Sequence, residues 1–213
     1  MLAGRGGLLL LPLLLVSAAA LADERTFEPR AIAAWESHSF TGNTDYAYAE
    51  AVGQPAVHAR CTQDTSSGLF LRETIELTKT PVIEWSWRVD DIYEDVDETV
   101  KAGDDYPARI YVVDEHPIFP WRTRALSYVW SSTMEEGEDW TNAYADQVHM
   151  IAVDAGEDGL GTWHSYRRNL REDFQRYHDR DLEQVDAIAI MSDCDDAGQT
   201  SEAWFGTIQL RGE

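Results

Sequence analysis

Lysine is almost missing from this sequence. Lys79 and Lys101 are the only two, and lysine and arginine together make 17 basic side chains against 39 acidic ones, a formal charge of -22. Nucleic acids and anionic lipids are held through clustered Lys and Arg, so this charge excludes both as partners. An acidic, lysine-poor surface is read here as an adaptation to salty surroundings, where screening weakens self-repulsion. Cysteine is scarce as well, with Cys61 and Cys194 alone. There is no C-x-x-C and no histidine pair at ligand spacing, which argues against zinc. Catalytic signatures are also absent: no G-x-S-x-G elbow, no H-E-x-x-H, no P-loop and no dinucleotide fingerprint. The six histidines (38, 58, 116, 149, 164 and 178) are scattered, so the catalytic residues, if any, are not identified.

Long apolar runs are confined to the first residues. "MLAGRGGLLLLPLLLVSAAALADE" has one arginine, an apolar stretch from Leu8 to Val16 and small residues up to Ala22, the layout of a secretory signal peptide cleaved after Ala22. No later stretch approaches the about 20 apolar residues of a membrane helix, so no stable membrane insertion is expected. The expectation is a signal peptide over 1–22 and one domain over 23–213, periplasmic or secreted. In that setting an even cysteine pair reads as a Cys61–Cys194 disulfide joining an early strand to a late one, with two buried thiols as the alternative.

What is present is a series of short alternating runs. "GLFLRETIEL", "PVIEWSWRV", "ARIYVV", "RALSYVWS", "HMIAVDA", "VDAIAIMS" and "AWFGTIQL" are rich in Ile, Val, Tyr and Trp and are separated by turn residues. They predict seven strands and an all-β fold, an antiparallel β-sandwich. "YRRNLREDFQRYH" breaks the pattern, since Tyr166, Leu170, Phe174 and Tyr177 recur at helical spacing and predict a short amphipathic helix near 166–178. Strand alternation puts Arg88 and Arg109 on the polar side of their strands, and on what is read as one shared face.

Three constellations carry candidate chemistry. Asp104, Asp105 and Arg109 sit at the entrance of a strand, where the guanidinium reads either as a fork for a ligand's carboxylate or hydroxyls, or as the centre of a bracing ion-pair network. "SDCDDAGQ" places Asp193, Asp195 and Asp196 close together, as in a calcium loop, without the full spacing of one; an acidic turn is the competing reading, and calcium is the only cofactor suggested. Of eight tryptophans, Trp85, Trp87, Trp130 and Trp204 lie inside strands and are read as core. Trp121, Trp140 and Trp163 are placed in loops and are the candidate aromatic contacts for a sugar ring.

"PVIEWSWRV", "KAGDDYPARIYVV", "ALSYVWS", "RRNLREDF" and "AIAIMSDCDDAGQTSEAWFGTI", in this order between about Phe40 and Leu210, resemble the bacterial exported family known as domain of unknown function 3047. The family pattern carries Thr where this chain has Cys194. The resemblance implies no settled activity, but it joins Asp104, Asp105, Arg109, Arg168, Asn169, Asp173, Asp193 and Asp195 into one expected polar cluster. The layout is also similar, at the level of fold, to jelly-roll carbohydrate-binding modules, which implies sugar binding by analogy. The leading expectation is an exported, non-catalytic carbohydrate-binding module. The alternatives are a polysaccharide-active hydrolase or lyase using the Asp/Arg cluster, and a structural envelope protein braced by an ion-pair network; a protein partner is left unspecified.

Overall fold

The computed structural model describes residues 24–62 and 64–213; the segment read as a signal peptide lies outside them. Two sheets pack face to face as a jelly-roll-like β-sandwich. The six-stranded sheet contains β1 (Arg25–Phe27), β3 (Asp45–Ala51), β4 (Gln54–Cys61), β6 (Val82–Val89), β11 (His164–Asn169) and β13 (Ser201–Arg211). Its order is β11-β6-β13-β4-β3, with β1 pairing the far end of β13. The seven-stranded sheet runs β2-β5-β12-β7-β8-β10-β9. Its members are β2 (Glu36–Thr41), β5 (Ser66–Glu76), β7 (Arg109–Asp114), β8 (Arg124–Ser131), β9 (Asp139–Thr141), β10 (Val148–Ala155) and β12 (Gln184–Asp193). Pairing is antiparallel except between β8 and β10.

Alternation decides which face of each strand is buried. In β6, Ile83, Trp85, Trp87 and Val89 enter the core, while Glu84, Ser86 and Arg88 point outward. β13 sends Ala203, Phe205, Ile208 and Leu210 inward, with a register shift between Phe205 and Ile208 that keeps both halves in phase. The facing sheet supplies Leu126, Tyr128 and Trp130 from β8 and Val185, Ile188 and Ile190 from β12. Each fully buried Val, Leu, Ile or Phe among them contributes about 1.5–3 kcal/mol. Trp85 is the aromatic centre, 5.3 Å from Tyr128 and 5.4 Å from Tyr166 between ring centroids.

The helical segment is shorter than its spacing suggested. Residues 164–169 form β11, pairing from His164 opposite Trp87 to Asn169 opposite Val82, and α2 (Leu170–His178) starts only afterwards. Tyr166 therefore packs into the core from a strand, and of the helix's apolar residues only Leu170 and Phe174 are buried, with Asp173 buried between them. The boundary is chemical: the Asn169 side chain accepts the backbone N–H groups of Arg171 and Glu172, and Asp179 closes the helix in a left-handed conformation. Before β2, the short α1 (Pro29–Ile32) packs Ile32 into the core.

Arg88 and Arg109 do not share a face. Arg88 lies on the outer side of the six-stranded sheet; Arg109 belongs to the other sheet, on the side opposite core residue Ile110. The cysteines are bonded, from Cys61 at the end of β4 to Cys194 just after β12, so the bridge ties one sheet to the other. Among the described residues no helix is long and apolar enough to cross a membrane.

The bridge spans a sequence separation of 133 residues, and closing so long a loop in the unfolded chain contributes about 3–5 kcal/mol in the chain-entropy view. Urea unfolding with and without reductant is expected to show a loss of that order, and denatured, unreduced protein should expose no thiol from this pair.

Candidate functional site

The buried polar cluster is organised by Arg109, 2% exposed at the start of β7. Its Nε donates to Asp193 Oδ1 at 2.9 Å and its Nη2 to Asp193 Oδ2. Nη2 also reaches the Asp104 carbonyl at 2.7 Å, and Nη1 the Tyr111 hydroxyl at 3.0 Å. The guanidinium lies over the Tyr106 ring, whose backbone N–H donates to Asp193 Oδ1. Burial is the largest single influence and would lower the arginine's pKa, but Asp193, Tyr111, Asp104 and Tyr106 together outweigh it and hold the charge in place. Asp104 accepts from Asn142 Nδ2 at 2.7 Å. Asp105, fully buried, accepts the backbone N–H groups of Asp196 and Ala197 at Oδ2, and burial pushes its carboxyl up to about 6.

Not all residues expected in one cluster meet. Asp104, Asp105, Arg109, Asp193 and Asp195 come together around the loops that follow β12 and precede β7. Arg168 and Asp173 form a separate pair, Nε to Oδ2 at 2.8 Å, which also receives the Tyr128 hydroxyl at 2.7 Å. Tyr128 faces the core, whereas Arg109 sits on the other side of the same sheet. Asn169 caps α2 and donates to Glu172 and Glu213. Asp196 accepts the Tyr144 hydroxyl at 2.7 Å.

The aromatic residues divide differently from the reading by strand membership. Trp121, 64% exposed, stands beside Phe119 in the loop between β7 and β8. Trp140 lies on the short strand β9 and packs near Tyr106. Trp163 lies across the outer face of the six-stranded sheet, 3.3 Å from where a Cβ on Gly206 would stand, with Nε1 donating to the Ala51 carbonyl at 3.4 Å. Any side chain at position 206 would also collide with Ser86 Oγ, so glycine is what allows Trp163 to lie close to the sheet. Trp204, read as core, is on this outer face instead: it stacks on His58 at 3.8 Å with Nε1 bonded to Asp90. Alternation against buried Phe205 is the signal that could have placed it.

Beside Trp163, the same face holds a groove of 360 Å³ lined by Glu84, Ser86, Ser165, Arg167, Thr207 and Gln209. Glu84 is fixed by Arg167 at 3.3 Å and Arg211 at 3.1 Å, leaving hydroxyls and an amide as the other polar groups.

A second cleft, of 620 Å³, opens at the edge of the sandwich between the loops after β8 and β10. His164 Nδ1 is 2.7 Å from Asp154 Oδ2, which also accepts the Tyr166 hydroxyl; burial and that bond keep the phenol protonated. Glu135, Glu136 and Asp158 add acidity around it. The trio was not read from sequence as a site, because Asp154 lies in a different strand from the other two. Behind the cleft, buried Glu98 accepts from the Ser132 N–H at 2.6 Å and from the Ser131 hydroxyl.

Comparison with known proteins gives a family but no activity. The family described as "Protein of unknown function (DUF3047)" matches residues 33–209. No curated protein matches the chain. Among solved structures, the chain is similar to the family 11 carbohydrate-binding module of the cellulosomal cellulase Lic26A-Cel5E of Clostridium thermocellum, at 10% identity and TM-score 0.47, covering 91% of this chain and 97% of that one. It is similar to a cellulase derived from Cel12A of Rhodothermus marinus at 9% identity and TM-score 0.42, covering 81% and 99%. The glycoside hydrolase domain of Endo-D from Streptococcus pneumoniae R6 aligns at 10% identity and TM-score 0.43 over 83% of this chain, which spans 21% of that chain.

Burial pushes the Glu98 carboxyl up to about 7, from 4.5, with the Ser131 and Ser132 bonds opposing the shift. The folded chain therefore holds this proton more tightly than the unfolded chain, and Glu98 contributes its full stability below about pH 4.5 and loses it as pH rises through about 7. Melting curves across pH 4.5–8 should fall for the native protein relative to Glu98→Gln; parallel curves would refute this.

Proposed function

That match covers most of the chain, so the protein belongs to the DUF3047 family, and we propose that it is an exported carbohydrate-binding module whose glycan site is the outer face of the six-stranded sheet. The observation that carries this reading is a single outer face that holds two partly exposed indoles, Trp163 and Trp204, and, lined by other residues, a groove of hydroxyl, amide and paired carboxylate groups. A sugar ring offers C–H faces to an aromatic plane and hydroxyls to planar polar side chains. The net charge of -22 disfavours uronic or sulfated polymers and leaves neutral glycans as the ligand class. Export is supported by the N-terminal sequence and by the disulfide. The Asp/Arg cluster supports a bracing role rather than glycan capture, since Asp104, Asp105, Arg109 and Asp193 are all buried.

Affinity electrophoresis of the mature protein in gels containing soluble β-glucan, xylan or galactan, with a polyuronate as control, tests the reading. Retardation by at least one neutral polymer is expected, weakened about tenfold, or ~1.4 kcal/mol, in Trp163→Ala. Ser165→Arg, at an exposed position lining the groove, should weaken it without affecting the fold. Migration unaffected by every neutral polymer, or retardation unchanged in both variants, would refute the site.

A further inference from the structure

The cluster around Arg109 has one feature that its own hydrogen bonds leave unexplained. Asp105 has no exposed surface; its Oδ2 takes two backbone N–H groups, yet its Oδ1 is buried with no partner. A buried carboxylate oxygen without a donor costs the full desolvation of that atom. Carboxylate oxygens from Asp105, Asp193 and Asp195 lie within 4.8 Å of one another. We propose that these three aspartates hold a divalent cation, with calcium as the ion that fits.

Geometry and charge both favour that ion. Two oxygens bound to one Ca²⁺ lie at most about twice 2.3–2.6 Å apart, so oxygens within 4.8 Å of one another can share it, and calcium accepts an irregular ligand set where Mg²⁺ demands a near-ideal octahedron. All three donors are hard oxygens, with no sulfur or imidazole among them, which suits calcium over zinc. Asp104, Asp105, Asp193 and Asp195 bring four carboxylates to a cluster whose buried cation is Arg109, and the excess of negative charge favours a divalent cation. Asp195 is the least buried of the three and gives the ion its way in. The set differs from Asp193, Asp195 and Asp196, the group suggested by sequence spacing. The Asp196 carboxylate takes the Tyr144 hydroxyl and its N–H donates to Asp105, so it acts beside the site. A bound ion would join the loop before β7 to the loop after β12, next to Cys194.

The test uses the full mature chain, stripped with chelator and titrated with Ca²⁺ or Mg²⁺ at constant ionic strength, read by calorimetry and melting temperature. Calcium should bind at one site per chain and raise the melting temperature saturably. Asp195→Asn should weaken that site at least tenfold while leaving the far-UV spectrum and the disulfide intact. Asp91→Asn, at an exposed acid elsewhere, should leave it unchanged, separating a built site from general binding to an acidic surface. Absence of a one-site calcium isotherm, a response to Mg²⁺ alone, or equal effects of the two substitutions would overturn the proposal. Asp105→Asn provides a second reading: it should abolish calcium binding without lowering the stability of the stripped protein, and retained binding would equally overturn it.

Discussion

The bidentate pairing of Arg109 with Asp193 is the constraint on which one whole side of the sandwich depends. Both groups are withdrawn from water, so each is tolerable only in the presence of the other, and breaking such a pair by removing one partner typically costs about 3–5 kcal/mol. The pair fixes far more than two side chains. The guanidinium also gathers the Asp104 carbonyl and Tyr111, the Asp193 carboxylate holds the Tyr106 backbone, and the Asp193 carbonyl receives the Tyr93 hydroxyl, which also meets Ser201 at 2.7 Å. Strands β7, β12 and β13 and the loops around Tyr93 and Tyr106 are thereby referred to one point, and the disulfide lies one residue away.

This arrangement divides the work between the two sheets. The seven-stranded sheet carries the charges that brace its loops, where Arg109 is bonded on several sides within the protein. The six-stranded sheet turns its tryptophans both ways. Trp85 and Trp87 fill the core, while Trp204 and, from just before β11, Trp163 cover the outer face. Gly206 and the bulge in β13 allow a ring to approach the sheet closely there without disturbing the inward phase of Phe205 and Ile208.

Seven of the thirteen strands among the described residues were legible in the sequence because apolar period-two patterning is strong where one face is buried and the other is not, as in β6. β2 was not legible as a strand, since all six of its residues are exposed and no apolar alternation marks it. Tyr166 falls in helical register with Leu170, Phe174 and Tyr177 of α2 by coincidence; pairing with β6 claims it, and the Asn169 cap sets the boundary. Trp204 was misassigned because strand membership was taken as burial, although a strand has two faces. Arg109 and Asp193 were joined only through family resemblance, since 84 residues separate them. The contact of His164 with Asp154 and the unpartnered oxygen of Asp105 are products of tertiary packing that no local pattern encodes.

The most direct test of the account is a two-dimensional NMR titration of the tryptophan indole N–H signals in the mature protein with neutral β-linked hexasaccharides. The outer-face reading predicts that the Trp163 and Trp204 signals move together and saturate with at least one sugar, while those of Trp85, Trp87 and Trp130 stay in place. Movement confined to Trp121 or Trp140, or no movement with any sugar, would contradict it.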